Sequence, residues 1–247
     1  MKIRLDDLLV QQGIAQSRNA AQKYILAGQI LLEPPLGVLA KAGTLLEPNI
    51  KIKFTPLPPY VSRGGEKLES ALKFWNISLP QRIALDIGAS TGGFSDCLLQ
   101  NGIKKVYCVD VGYGQMHPKL RQDSRVHLYE KTHILKWSPP WMSSHAAEPD
   151  LVTCDLSFIS LTKVLGKVKE LFLKRPVEFL ILIKPQFEAE KKWLKKGILE
   201  NKEVRKKLIQ EIIEYSLEIG FKGAKHFPCP VLGTKGNQEE WFHCFLN

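Results

Sequence analysis

The residues Ile83-Ala-Leu-Asp-Ile-Gly-Ala-Ser-Thr-Gly-Gly-Phe94 carry the strongest structural signal in this chain. An apolar run at their start leads into a turn with three glycines, and a helix-forming stretch follows over 95–100. A strand that passes through a glycine-rich turn into a helix is typical of α/β folds for nucleotide-like ligands, because glycine lets the backbone approach a ligand closely. The same residues also fit an ordinary tight turn between a strand and a helix.

The spacing of these glycines, together with a second acidic strand end, narrows the ligand class. The motif D-x-G-x-x-x-G-G differs from the dinucleotide fingerprint and from the P-loop, and it is the loop expected of an S-adenosylmethionine (SAM) site. A second apolar run ends in Val106-Tyr-Cys-Val-Asp110, and an acid at this place typically hydrogen-bonds ribose hydroxyls. The residues predicted to bind SAM are Asp86, Gly88, Ser90, Gly92, Gly93, Phe94 and Asp110.

Composition favours a polyanionic partner and a reducing compartment. The net charge of +10 over 247 residues favours nucleic acid or an acidic membrane surface. The five cysteines form no C-x-x-C pair and the histidines have no metal-ligand spacing, so we expect a cytoplasmic protein without a metal site. The apolar runs are much shorter than the roughly 18 residues that a membrane span needs, so we expect no transmembrane segment.

Two regions of different character indicate two domains. Residues 1–54 begin with two helix-like segments, the second capped by Ser17 and ended by Gly28, and continue with short β-like pieces. Residues 55–60 contain three prolines, which indicates a stiff linker. We therefore predict a small α+β domain over 1–54 and a second domain over 61–247.

Strands alternate with helices in the second region. This alternation predicts an α/β fold, in which a Rossmann-like, mostly parallel sheet has helices on both faces and binds ligands at the carboxyl ends of its strands. Amphipathic helices are expected over 160–173 and 202–219. The predicted strands are 83–87, 105–110, 126–129, 151–154, 179–183 and 240–246.

Ionisable residues follow two of the predicted strands. Asp155 ends one apolar run and Lys184 ends the next, and burial there is costly unless such groups are paired. Together they indicate a site, although a solvated lysine is the plainer interpretation of Lys184 alone. Tyr60-Val-Ser-Arg-Gly-Gly-Glu-Lys67 and Lys235-Gly-Asn-Gln-Glu239 fit either parts of a site or a flexible basic loop and a solvated turn.

Six motifs together resemble the TlyA-type (hemolysin A) ribosomal RNA methyltransferases, whose catalytic domain is FtsJ-like. The segments Arg4-Leu-Asp-x-x-Leu-Val10, Ser17-Arg18 and Ala27-Gly28 resemble that family's S4-like RNA-binding domain, so the resemblance covers nearly the whole chain. The six motifs are Ser62-Arg-Gly-Gly-x-Lys-Leu68, residues 86–94, Val109-Asp-Val-Gly-Tyr-Gly-Gln115, Asp155-Leu-Ser-Phe-Ile-Ser-Leu161, Lys184-Pro-Gln-Phe-Glu188 and Gly236-Asn-x-Glu239.

The resemblance implies methyl transfer from SAM to a ribose 2′-hydroxyl of ribosomal RNA, with cytidine as the target and ribosomal RNA or ribosomal subunits as the partner. It also implies a catalytic tetrad that falls on Lys67, Asp155, Lys184 and Glu239, in which Lys184 takes or steers the hydroxyl proton. Glu240 is a neighbouring candidate for the fourth position, and the spacing from Gly236-Asn237 favours Glu239.

The basic residues of the N-terminal region are expected to contact RNA phosphates, with one further residue at the domain junction. A second basic run, Lys202-Glu-Val-Arg-Lys-Lys207, is interpreted as a solvated helix face and receives no function. The residues expected to bind RNA are Arg4, Arg18, Lys23, Lys53 and Arg63.

Three other functions fit parts of the sequence. An RNA-binding module that has lost its activity would not need candidates at all four tetrad positions. A small-molecule methyltransferase would not explain the basic N-terminal region. A haemolytic, membrane-active protein, which the family's older name suggests, fits poorly with the short apolar runs.

Overall fold

The computed structural model describes residues 2–32, 37–38, 41–144, 146–172 and 176–247. The chain divides into two units, Met1–Pro58 and Pro59–Asn247, and the division falls within the proline-rich residues 55–60. Each unit buries apolar side chains of its own.

In its described residues the first unit contains two helices and several short strands. Strands β1 and β4 pair with each other, and β2 pairs with both β3 and β5, all antiparallel. The elements are β1 (Ile3–Arg4), α1 (Leu5–Gln11), α2 (Arg18–Leu26), β2 (Ile30–Leu32), β3 (Gly37–Val38), β4 (Leu45–Leu46) and β5 (Ile52–Phe54).

The two helices of the first unit form where the sequence signals place them. The Ser17 Oγ accepts a hydrogen bond from the Ala20 N–H (3.2 Å) and so caps α2, while Gly28 follows the helix at a φ of +70° that favours glycine. Leu5 and Leu9 of α1 pack with Ile25 of α2 in a buried cluster, because apolar residues recur at helical spacing.

The second unit alternates strands and helices. Short 3₁₀ turns lie at Ile134–Lys136, Pro140–Met142, Lys191–Trp193 and Thr234–Gly236. The elements are α3 (Arg63–Phe74), β6 (Ile83–Ile87), α4 (Gly93–Gln100), β7 (Lys105–Val109), α5 (Pro118–Arg121), β8 (Val126–Tyr129), β9 (Leu151–Cys154), α6 (Leu161–Glu170), β10 (Val177–Ile183), α7 (Pro185–Glu188), α8 (Lys202–Glu218), β11 (Lys222–Pro228) and β12 (Glu240–Leu246).

The second unit is built on one seven-stranded sheet, in the order β11-β12-β10-β9-β6-β7-β8. Strands β6 to β10 run parallel, whereas β12 runs antiparallel to both of its neighbours. Ile183, the last residue of β10, pairs with Glu240, the first residue of β12. The ends of β6, β7, β9 and β10 and the start of β12 therefore meet at the carboxyl edge of the sheet.

Helices cover both faces of this sheet. On one face α6 and α8 pack on the strands, and on the other α3 and α4 do so. Alternate residues of β6 serve the two faces: Leu85 and Ile87 join the first core and Ala84 joins the second. The predicted α/β fold with a mostly parallel sheet is confirmed.

Four elements of the second unit were not predicted: the short helices α5 and α7, the helix α3 and the strand β11. The helix α3 begins at Arg63 and contains Gly64-Gly65, which are poor helix formers, so local propensity favours a loop there. The edge strand β11 is exposed along most of its length and lacks the apolar alternation of a half-buried strand. Helix α6 ends at Glu170, and position 173 of its predicted range lies outside the described residues.

Candidate active site

Two adjoining cavities open at the carboxyl edge of the sheet. The larger has a volume of about 720 Å³ and the smaller about 230 Å³. Gly88, Ser90 and Asp155 line both of them, so the cavities share a wall. This is the place where ligands of parallel α/β sheets bind, because the loops that leave the strands converge there.

The Asp110 carboxylate lies in the larger cavity at the tip of β7. It accepts hydrogen bonds from the Ser90 N–H (2.8 Å) and the Gly112 N–H (2.6 Å), one at each oxygen. Ser90 has a left-handed φ of +48°, which its hydrogen bond to Asp110 helps to hold. Each carboxylate oxygen keeps a second lone pair for a ligand, because a carboxylate offers about four acceptor sites.

The glycines of the 88–93 loop allow close packing of the chain itself. A Cβ on Gly88, whose φ is +83°, would lie 2.5 Å from the Asp155 carbonyl oxygen. A Cβ on Gly92 would overlap Met116, and one on Gly93 would overlap the Ser62 Oγ. Of the three, Gly88 and Gly93 line a described cavity and Gly92 does not. The predicted contact of a ligand with Gly88 and Gly93 is compatible with these cavities, and that with Gly92 stays a prediction.

Asp86 is a correction to the predicted set of cofactor contacts. It lies on the face of β6 that packs against α4, is fully buried, and lines neither cavity. Its carboxylate accepts hydrogen bonds from the hydroxyls of Ser95 (2.6 Å) and Thr153 (2.9 Å), which join β6 to α4 and β9. Burial raises the pKa of Asp86 to about 6, and the two hydroxyls oppose that rise. Asp86 thus supports the loop from beneath.

Lys67 and Glu239 form a buried ion pair beside the smaller cavity. The Lys67 Nζ donates to Glu239 Oε2 at 2.6 Å, and the Gln186 Nε2 donates to Glu239 Oε1 at 3.1 Å. The Lys67 side chain is 10% exposed and that of Glu239 is 2% exposed. Lys67 lies on α3 one turn after Arg63, and Glu239 immediately precedes β12.

Lys184 and Asp155 form a second ion pair, and both residues line the smaller cavity. The Lys184 Nζ lies 2.5 Å from Asp155 Oδ1 and donates a hydrogen bond to the Ser157 Oγ at 3.1 Å. Asp155 follows β9 and Lys184 follows β10, and these strands are neighbours in the sheet. Lys67, Asp155 and Lys184 all line this cavity, with the Glu239 carboxylate bound to Lys67.

The two acids at 239 and 240 have different partners. Glu239 reaches Lys67, whereas the Glu240 Oε1 lies 2.7 Å from the His226 Nδ1 on β11. The side chains of these neighbours point in different directions because successive residues entering a strand face opposite sides. Glu239 is therefore the acid that the structure brings to Lys67.

The residues expected to bind RNA fall into two groups. Arg4 and Arg18 both bind the buried Asp6, at 3.0 and 3.2 Å, and each also approaches Asp7. The hydrogen bond from Arg4 holds the pKa of Asp6 well below its usual range, so these arginines stabilise the first unit. Lys23, Lys53 and Arg63 are exposed, and Arg63 lines the smaller cavity.

Several polar residues of the site were not singled out from the sequence. Gln186 holds Glu239 and Ser157 holds Lys184, while Asn237 hydrogen-bonds the 197–199 backbone. Each of these three residues lies inside a motif quoted above, within two residues of a charged residue of the tetrad. That closeness in sequence could have identified them as part of the site. Among the described residues no group of His, Cys, Asp and Glu could hold a metal ion, and none of their helices is long and apolar enough to cross a membrane.

A mostly parallel sheet with a glycine-rich first loop, an acid at the second strand tip and two cavities at the carboxyl edge is typical of α/β proteins that bind a nucleotide-like ligand. Residues 60–245 match the model of the FtsJ-like methyltransferases, and residues 3–33 match the S4 domain. The chain belongs to the FtsJ-like methyltransferase family, and the resemblance on the six motifs is confirmed.

Several known proteins are similar to this chain along most of its length. Hemolysin A of Brachyspira hyodysenteriae is 40% identical, covering 99% of this chain and 100% of that protein. The 16S/23S rRNA (cytidine-2′-O)-methyltransferase TlyA of Mycobacterium tuberculosis is 33% identical, covering 96% of this chain and 88% of that protein. A solved structure of a hemolysin candidate from Streptococcus thermophilus is 35% identical, covers 99% of this chain and 88% of that one, and has a TM-score of 0.72.

Proposed function

We propose that this protein transfers a methyl group from SAM to a ribose 2′-hydroxyl of ribosomal RNA, at a cytidine, and that it acts on ribosomal subunits in the cytoplasm. The observation that carries the proposal is the pairing of Lys184 with Asp155, and of Lys67 with Glu239, beside a cavity that shares a wall with a nucleotide-sized one. The relatives named as rRNA (cytidine-2′-O)-methyltransferases support the choice of substrate.

The donors around the larger cavity fit SAM. The carboxylate of Asp110 would accept the ribose hydroxyls, and the Gly88 and Ser90 backbone would contact the amino-acid end. The apolar side chains of Val111 and Ile134 would contact the adenine. When bound, SAM supplies an electrophilic methyl group at its sulfonium, so the protein needs no further activation of the donor.

Lys184 would accept or steer the proton of the ribose 2′-hydroxyl. It lines the smaller cavity and its Nζ pairs with Asp155, which lines both cavities, so it would hydrogen-bond the 2′-hydroxyl there and take or steer its proton. Asp155, at 2.5 Å, fixes the direction of the amine, and Ser157 fixes it from a second side. General-base assistance of this kind typically contributes about 10²–10⁴-fold to a rate.

Lys67 and Glu239 would position the nucleotide. Because their pair is buried and held by Gln186, it presents a fixed charge arrangement beside the cavity that Lys184 also lines. Holding the hydroxyl in line with the methyl donor is the larger part of such a reaction, since orientation alone can supply about 7–11 kcal/mol.

The test is methyl transfer to ribosomal RNA, followed by mass spectrometry of the nucleosides. We expect wild-type protein to produce 2′-O-methylcytidine and Lys184→Ala to lower the rate about 10²–10⁴-fold, with SAM affinity unchanged within about twofold. Lys104→Ala, an exposed lysine at the opposite edge of the sheet, is the matched control and should be as active as wild type. A Lys184→Ala variant with wild-type turnover would remove Lys184 from the mechanism, and RNA binding without transfer would identify an inactive module.

A further inference from the structure

One short segment carries much of the positive charge of this protein. Residues 190–207 contain eight lysines and arginines against three glutamates, a net charge of +5 out of +10 for the chain. The second half of this segment is the start of α8, where Lys207 lies 3.7 Å from Glu211 and further acids follow along the helix. The first half precedes α8 and forms turns instead of a long helix.

Residues 191–198 are a basic loop that ends in a tight hairpin turn at 195–198, and the whole loop is called the 191–198 hairpin below. Lys195 and Ile198 exchange two backbone hydrogen bonds of 3.0 Å, and the residues between them, Lys196 and Gly197, have φ values of +52° and +84°. This is a two-residue hairpin turn of the type that needs positive φ at both central positions. Lys196 adopts the left-handed conformation that this turn requires although it is not glycine.

Asn237 ties this hairpin to the active site. Its Oδ1 accepts from the Leu199 N–H (3.0 Å) and its Nδ2 donates to the Gly197 carbonyl (3.0 Å). Asn237 is buried and lies two residues before Glu239, which pairs with Lys67. From the other end, α7 joins the hairpin directly to Lys184. The hairpin is therefore held near the carboxyl edge of the sheet by Asn237, which is close to Glu239 in the chain, and by α7, which follows Lys184.

A fifth lysine joins the hairpin tip. Lys235 precedes Asn237 and also has a left-handed φ of +64°. A Cβ added to Gly197 would lie 3.2 Å from the Lys235 Nζ, so the absence of a side chain at Gly197 leaves room for this ammonium group. Two glutamates lie nearby in sequence: Glu190 pairs with Lys192 at 2.9 Å, and Glu200 is 3.9 Å from Lys195. Five cations against two acids leave a net positive surface.

We propose that the 191–198 hairpin, with Lys235, binds the phosphate backbone of the RNA substrate and holds the strand next to the tetrad. The inference rests on the proposed function and deepens it. All four hairpin lysines are exposed, so they can reach phosphates without losing a buried partner. Phosphate contacts of this kind give affinity and register with little sequence preference. The basic residues at the start of α8 are not included, because acidic residues follow them along that helix.

The test compares two variants that each remove four positive charges. The first is K191Q/K192Q/K195Q/K196Q in the hairpin. The second is K73Q/K104Q/K167Q/K222Q, whose lysines lie where elements end or begin at the amino edge of the sheet. RNA affinity is measured with one ribosomal RNA fragment that wild-type protein binds, at 50 to 200 mM salt, and SAM affinity is measured for each variant by calorimetry.

Each lost phosphate contact lowers the slope of log K against log salt by about 0.7 to 0.9. If all four hairpin lysines contact phosphates, the slope falls by about 3 and the rate of transfer at subsaturating RNA falls with it, while SAM affinity stays unchanged. The amino-edge variant should keep a slope within about 1 of the wild-type value. Equal slopes for the two variants would overturn the proposal, because total charge and not the hairpin would then govern binding.

A membrane role for the hairpin is the competing outcome. Vesicles of phosphatidylserine and phosphatidylcholine are therefore included as a second probe. Loss of vesicle binding in the hairpin variant, with RNA binding intact, would overturn the RNA assignment. If wild-type protein methylates no RNA, the proposed function fails. The role of the hairpin is still tested in that case, because the salt slopes come from RNA binding and not from methyl transfer.

Discussion

Replacing Asp86 by asparagine should change how the stability of the second unit depends on pH. Asp86 is fully buried, and burial raises its pKa from the ordinary 3.8 to about 6. Below pH 3.8 the carboxyl is neutral in both the folded and the unfolded states. As the pH rises towards 6, the unfolded chain ionises first and the folded state loses stability relative to it. Above pH 6 the loss is complete.

The magnitude follows from the difference between the two pKa values. About 2.2 pH units correspond to about 3 kcal/mol of unfolding free energy at neutral pH. Asparagine does not titrate, and its amide can still bond the hydroxyls of Ser95 and Thr153. The unfolding free energy of Asp86→Asn minus that of wild type should therefore rise by about 3 kcal/mol between pH 3.5 and 7, whatever constant offset the substitution brings.

The assay is urea unfolding followed by tryptophan fluorescence at half-unit steps of pH. Asp123→Asn is the control, because Arg125 lowers the pKa of Asp123 and its stabilising contribution is lost only as the pH falls. That variant should show no rise relative to wild type between pH 4 and 7. A flat difference for Asp86→Asn over the same range would refute the reasoning that the Asp86 charge is buried at a cost.

Three further predictions concern residues around the cavities. Lys67→Met should lower the unfolding free energy by about 3–5 kcal/mol because it leaves Glu239 buried and unpaired, and adding Glu239→Gln should recover part of that loss in urea unfolding. Gly88→Ala should cost about 1–3 kcal/mol and weaken SAM binding at least tenfold by calorimetry, since its Cβ would meet the Asp155 carbonyl; unchanged binding would contradict the packing argument. Asn237→Ala should lower RNA affinity while SAM affinity stays within twofold, and equal losses of both would show a general collapse of the site.

Much of the α/β framework could be predicted because each strand is a short, continuous apolar run. Strands β6, β8, β9 and β12 have the bounds expected from the sequence. Helix α3 could not be predicted, because Gly64-Gly65 disfavours a helix locally. In the folded unit α3 packs against α4, where a Cβ on Gly93 would lie 3.1 Å from the Gly64 Cα. Tertiary packing overrides local propensity at such a position.

The site also contains contacts that could be predicted from the sequence and contacts that could not. Asp155 and Lys184 could be brought together from their places at the ends of neighbouring strands. Lys67 and Glu239 are 172 residues apart and no periodic signal links them; only the family resemblance placed both in one tetrad. The sequence also could not show that Asp86 faces α4, or that Arg4 and Arg18 form ion pairs with Asp6. These contacts depend on the direction in which each side chain points in the folded unit.

The proposal that Lys184 serves methyl transfer to a ribose hydroxyl is tested by single-turnover transfer from labelled SAM to ribosomal RNA. The products of wild type and Lys184→Ala are resolved to nucleosides by mass spectrometry, and the SAM affinity of both proteins is measured in parallel. We expect 2′-O-methylcytidine from wild type and a rate about 10²–10⁴-fold lower from the variant at equal SAM occupancy. Label on a base, or equal rates for the two proteins, would contradict the account.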